Sequence, residues 1–163
     1  SPVFLYLTAV FFFKNITVIS SALSDFCTAS TCPTASGPGG VTYYWTDGSG
    51  KKVRCSAPLY TDCTLSYVQQ LLDDENVFPT RADASFPKGF VFLVQRIFLY
   101  MFHTLAHLYG THFLEVVQLQ LHPHLNTLFV HLITFGWEFG LLEAADTQPL
   151  EDLFSALTHS QSS

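Results

Sequence analysis

Apolar positions fall into long runs separated by polar breaks rich in proline and glycine. Residues 3–13 (V-F-L-Y-L-T-A-V-F-F-F) are nearly all apolar. Eleven residues are too few to cross a membrane, so the run predicts a buried helix or strand. Ile16, Ile19 and Leu23 then recur at helical spacing within 14–26. The stretch P-T-A-S-G-P-G-G at 33–40 breaks the pattern. Val41–Trp45 and Lys51–Cys55 flank the turn residues Asp47-Gly48-Ser49-Gly50 and predict a β-hairpin. Two strands alone are marginal in water, so this hairpin must pack on helices. Pro58 suits the first turn of a helix whose stripe is Leu65, Val68, Leu71 and Leu72. Asp73-Asp74-Glu75 reads as its solvated end, and 80–89 as a polar loop. Residues 90–119 are the most apolar stretch, interrupted by Arg96, His103, His107, Gly110 and His112. Those interruptions predict the central buried helix of a bundle rather than a membrane span. His122-Pro123-His124 breaks this helix, a further helix covers 125–142, and a short one covers 149–157. The tail 158–163 should fray. The fold class is therefore all-α with one small hairpin.

Composition narrows the function. The 163 residues are 48% hydrophobic and 12% charged, with sixteen Phe, which calls for a large aromatic core or a covered surface. The net charge is −6, and from Ile97 onward there are six acids, all seven histidines and no Lys or Arg. An acidic half excludes a nucleic-acid backbone as partner and suits either a basic peptide or a plain solvated surface. Four cysteines are compatible with a disulfide framework, but the apolar start lacks the basic flank of a signal peptide. A reducing compartment follows, with Cys55 and Cys63 as free thiols. The triplet Asn15-Ile16-Thr17 fits a glycosylation sequon, which matters only in a secreted chain. No H-E-x-x-H or G-x-S-x-G motif is present, and Gly37–Gly40 precedes a strand rather than a helix. The chain therefore carries no candidate catalytic residue.

Metal chemistry is the exception. Cys27 and Cys32 are five apart, and His107 and His112 are five apart about eighty residues later. Two thiolates and two imidazoles form a closed tetrahedral set that zinc favours, with no position left for catalysis. The plain alternative is two buried cysteines and two core histidines. A rival pair also exists, since His103 and His107 are four apart and share one helix face. His107 and His112 lie about 140° apart around an ideal helix. They can act together only if the helix bends or ends near Gly110, or if the metal is reached from two sides.

Five runs carry a resemblance: F-C-T-A-S-T-C-P, Y-Y-W-T-D-G-S-G-K-K-V-R-C-S-A-P, L-D-D-E-N-V-F-P-T, A-H-L-Y-G-T-H-F and H-L-N-T-L-F-V-H. In order and spacing, from about residue 12 to 157, the chain resembles the Mob (Mps one binder) kinase-activator or phocein family. K-K-V-R-C-S-A-P with V-F-P-T is most similar to its second branch, which is associated with NDR-type kinases. The resemblance implies a four-helix-bundle core stapled by one structural zinc on Cys27, Cys32, His107 and His112. It implies a Mob-like domain over 12–157, preceded by an atypical apolar segment 1–11, truncated or foreign to the fold, and followed by the tail 158–163. It also implies a non-catalytic adaptor that holds the basic N-terminal segment of an NDR or LATS Ser/Thr kinase. That surface maps onto Phe12, Phe13 and His124. Phe4 stands near a Trp position of the family; the family's first-helix acids are absent, with Phe11 where the first branch has Asp, which favours NDR over LATS. The family's phosphopeptide pocket falls on Leu99, Tyr100 and His103, none a permanent cation, so it is degenerate. A monomer without a transmembrane segment is expected in the cytoplasm, with nuclear and perinuclear sites open. The competing reading is an acidic, membrane-associated scaffold.

Overall fold

The structure, a computed structural model, describes residues 2–81 and 85–161. Four long helices form the bundle: α1 (Pro2–Ala22), α2 (Ala57–Asp73), α3 (Phe90–Thr111) and α5 (His122–Glu138). Two strands, β1 (Tyr44–Thr46) and β2 (Lys52–Arg54), make the hairpin between α1 and α2. The short α4 (Phe113–Gln118) joins α3 to α5, and α6 (Ala144–Thr147), a 3₁₀ turn and α7 (Glu151–Gln161) close the chain.

The bundle is organised by α3, which packs on α1, α2 and α5. Its buried face includes Val94, Ile97, Phe98, Met101, Phe102 and Leu105. Against it α1 buries Ala9, Phe12, Phe13, Ile16 and Ile19. Much of the aromatic content goes here. Phe98 stacks on Phe135 of α5 at 5.5 Å and meets the edge of Phe12 at 5.9 Å. The hairpin pairs Tyr44 with Arg54, Trp45 with Val53 and Thr46 with Lys52. Asp47 fixes its turn by accepting from the backbone N–H groups of Ser49 and Lys51. Trp45 then docks it on the helices, its ring 6.2 Å from Tyr67 of α2 and 5.9 Å from Tyr100 of α3. Ser56 caps α2 by accepting from the Leu59 N–H, with Pro58 in the first turn.

Several element boundaries differ from those the sequence suggested. α1 runs unbroken from Pro2 to Ala22, across residue 11, with Ala9 buried. At 21 residues α1 is long and apolar enough to cross a membrane, as is α3, by length and composition alone. Most of α3 is core. The strands are shorter than the hydrophobic pattern suggested. Residues 90–119 are two helices rather than one, and Gly110 remains helical. His122-Pro123-His124 begins α5 rather than merely ending a helix, because proline is tolerated in a first turn. That helix stops at Glu138, where Gly140 turns the chain with φ 66°. α7 continues through residues 158–161, where fraying was expected. Residues 162 and 163 lie outside the described residues.

Truncating Phe98, fully buried between two aromatic neighbours, leaves a cavity at the centre of the bundle. Phe98→Ala should cost about 3–5 kcal/mol of unfolding free energy, read from the shift of a urea unfolding midpoint.

Candidate metal centre

A tight loop following α1 presents the two cysteines. The Cys27 N–H donates to Leu23 O at 3.0 Å, and the Cys32 N–H donates to Thr28 O at 2.8 Å. The Thr28 N–H donates to Thr31 Oγ1 at 2.9 Å, and that hydroxyl donates to Phe26 O at 2.8 Å. These short-range bonds set both sulfurs on one side of the loop. The Ala57 N–H donates to Cys32 O, tying the loop to the start of α2.

The histidines come from the end of α3. His107 lies on its last full turns and is buried. His112 is the residue between α3 and α4, with φ −119° and ψ 16°. This departure from helical geometry removes the angular problem of a five-residue spacing. The helix ends one residue after Gly110, as the spacing required, and Gly110 itself serves close packing. A Cβ there would stand 3.1 Å from the Pro38 backbone N. The glycine lets the loop carrying Ser36 approach α3 closely.

The four side chains converge. Their potential ligand atoms all lie within 4.8 Å of one another. Cys27 Sγ is 3.4 Å from His107 Nε2, and Cys32 Sγ is 3.3 Å from His112 Nε2. Bond lengths of about 2.3 Å to sulfur and 2.0–2.1 Å to nitrogen give a tetrahedron with S–N edges of about 3.5 Å. The observed separations match that edge, so the residues fit a tetrahedral metal.

The electrostatics agree. Burial, then the neighbouring Cys32, pushes the Cys27 thiol up to about 12. A bound cation reverses that preference by favouring the thiolates. Burial holds His107 and His112 below the ordinary imidazole range, keeping both neutral at pH 7. His107 Nδ1 lies 2.8 Å from Ser36 O, so it carries the proton and leaves the Nε2 lone pair facing the sulfurs. His112 Nδ1 is buried without a hydrogen bond among the described residues, and Glu115 Oε1 lies 3.9 Å away. Glu115 was legible as the residue one turn after His112, whereas Ser36 had no sequence signal. All four cysteines are free thiols.

The other expected positions separate. His103 stands apart from the four converging residues: it stacks on Tyr43 at 3.8 Å, and its Nδ1 is hydrogen-bonded to the Tyr60 hydroxyl at 2.7 Å. Tyr100 is buried beside it and Leu99 is half-buried. Phe12 and Phe13, expected at a partner surface, are core residues only 3% and 8% exposed. They sit on the side of α1 that faces α3 and α5. His124 is exposed on the first turn of α5.

The sequence model of the Mob1/phocein family matches residues 2–150. The chain belongs to that family. MOB kinase activator 2 of Mus musculus is 47% identical over 149 residues, 91% of this chain and 63% of the relative. MOB kinase activator-like 2 of Drosophila melanogaster is 40% identical over 145 residues, 89% of the chain and 26% of the relative. MOB kinase activator-like 1A of Medicago sativa subsp. falcata is 39% identical over 155 residues, 94% and 72%. This Mob chain thus spans less than two thirds of the mouse relative.

His112→Ala should release the bound metal, measured by elemental analysis, and destabilise the domain by several kcal/mol. His103→Gln should retain it. The same residue predicts a pH dependence. Burial pushes His103 down to about 3 in the folded state, against 6.5 for the free group. The unfolded chain therefore binds the proton first, and stability is lost as pH falls from about 6.5 toward 3. The acid limb of the stability curve should be shallower for His103→Gln than for the parent.

Proposed function

We propose that this domain is a zinc-stapled, non-catalytic adaptor that binds the basic N-terminal regulatory segment of an NDR-family Ser/Thr kinase and modulates that kinase. The observation that carries the reading is family membership with the Cys₂His₂ set in place, since relatives bear the name MOB kinase activator. Zinc is the metal that suits two thiolates and two imidazoles in tetrahedral array. Four protein donors close its coordination, so it serves structure rather than hydrolysis.

The docking surface would be the groove between α1 and α5, lined by Thr8, Phe11, His131, Thr134, Phe135 and Glu138, with Phe12 on its floor. His124 extends it toward the start of α5. Glu138 supplies the negative charge, and Phe11 an apolar contact where the first branch has an acid. NDR rather than LATS kinases are the fitting partners. Binding would act by population shift, ordering a segment that positions the active kinase or occupying it against an activating relative. The cytoplasm, with nuclear and perinuclear pools, is the matching location.

Phosphopeptide binding is not part of this role. His103 is held neutral within an aromatic stack, and Tyr100 is buried. Paired charge-assisted bonds from permanent cations are what a phosphate requires.

Calorimetric titration with a basic NDR-kinase segment should show micromolar binding that weakens on raising salt. Glu138→Lys should weaken it a few-fold. Absence of binding to a folded, zinc-replete protein would contradict the reading. A phosphothreonine peptide should show no submicromolar binding.

A further inference from the structure

The outward side of α1 carries apolar residues at a regular spacing. Leu7 is 59% exposed, Phe11 52% and Val18 67%. Lys14 is exposed between the last two. Positions 7, 11, 14 and 18 are separated by four, three and four residues, the alternation that lines a seam between two paired helices. Ala9 and Ile16, on the opposite side of α1, are buried in the domain's own core. The seam therefore points directly away from the bundle. It runs about 16 Å along the helix at 1.5 Å per residue.

Charge indicates the occupant. The flanking positions Thr8, Val10, Asn15 and Thr17 carry none, and α1 contains no acid. Lys14 is its single charged side chain. A basic peptide finds no complement along the seam itself. Interfacial membrane helices carry many cations on their polar side, whereas the polar residues here are mainly hydroxyls. Glu138, exposed on α5, lines the same groove as Phe11. The molecule thus presents an apolar seam, one cation within it and one acid at its edge, which is a self-complementary set.

We propose that the α1 seam pairs with α1 of a second copy of this chain, antiparallel, about a two-fold axis near residues 12 and 13. In that register Leu7 packs on the partner's Val18, and Phe11 receives the stem of the partner's Lys14. Its ammonium lies over the Phe11 ring and reaches toward Glu138. The two-fold repeats each contact, as an isologous interface requires. A parallel pairing would oppose the two Lys14 side chains and is excluded by like charge. The interface is small, so the pairing is reversible and no tighter than micromolar. Such a dimer covers Phe11 and Glu138 and so closes the α1–α5 groove. That consequence rests on the docking reading above, whereas the pairing itself does not.

Sedimentation equilibrium of the metal-loaded full chain, without any kinase peptide, tests this. The mass should pass from one copy to two between low micromolar and several hundred micromolar concentration. Leu7→Lys combined with Val18→Lys should hold the chain at one copy with unchanged circular dichroism and metal content. Lys14→Glu should weaken pairing about tenfold, and Lys14→Glu with Glu138→Lys should restore it. A single copy at every concentration overturns the proposal. So does association that survives the double lysine change. Co-sedimentation with phosphatidylcholine vesicles, lost in that double variant while the mass stays at one copy, would assign the seam to a lipid surface instead.

Discussion

Four donor groups, three of them buried, meet at one point and define this domain. Cys27 and Cys32 belong to a loop after the first helix, and His107 and His112 to the end of the third. Left without a cation, this cluster is costly: the Cys27 thiolate is disfavoured by burial and by Cys32, and two imidazoles are desolvated beside it. A cation turns the same arrangement into a cross-link over eighty residues of chain. Bound there, it would tie a loop without helix or strand of its own to the end of α3.

The rest of the structure follows from that point outward. Ser36 orients His107, which places the 33–40 loop against α3, and Gly110 leaves room for it. The hairpin beyond that loop docks through Trp45 onto Tyr67 and Tyr100. There it meets the stack of Tyr43 on His103. On the opposite side of α3, the Phe12–Phe98–Phe135 contacts join α1 to α5 and leave the outer face of α1 to solvent. The Cys₂His₂ cluster, the hairpin and the aromatic core thus meet on one central helix.

Much of this was legible in the sequence. Helical spacing was visible at Ile16, Ile19 and Leu23 and in the stripe of α2, whereas the run 3–13 was compatible with helix or strand; the Cys and His spacing with the family runs pointed to the four residues that converge. The sequence pattern failed where backbone geometry decides the outcome. The five-residue interval between His107 and His112 required the helix to bend or end near Gly110, or the metal to be reached from two sides. The helix does end there, one residue before His112, but only the structure shows that the non-helical φ and ψ of His112 swing its ring to the site. Phe12 and Phe13 were mapped to a partner surface from the family resemblance, and the apolar run 3–13 has no period that separates its faces. Only packing shows that 9, 12, 13 and 16 turn inward while 7, 11 and 18 turn outward. His103 was recognised as a neighbour of the site, but its role as a neutral stacking partner depends on Tyr43 and Tyr60, distant in sequence.

The central claim is that two sulfurs and two nitrogens close around one metal ion. X-ray absorption at the zinc edge of the purified protein tests it directly. The account predicts one zinc per chain with two sulfurs at about 2.3 Å and two nitrogens at about 2.0–2.1 Å. A folded protein with no zinc, or a shell of nitrogen and oxygen alone, would contradict it.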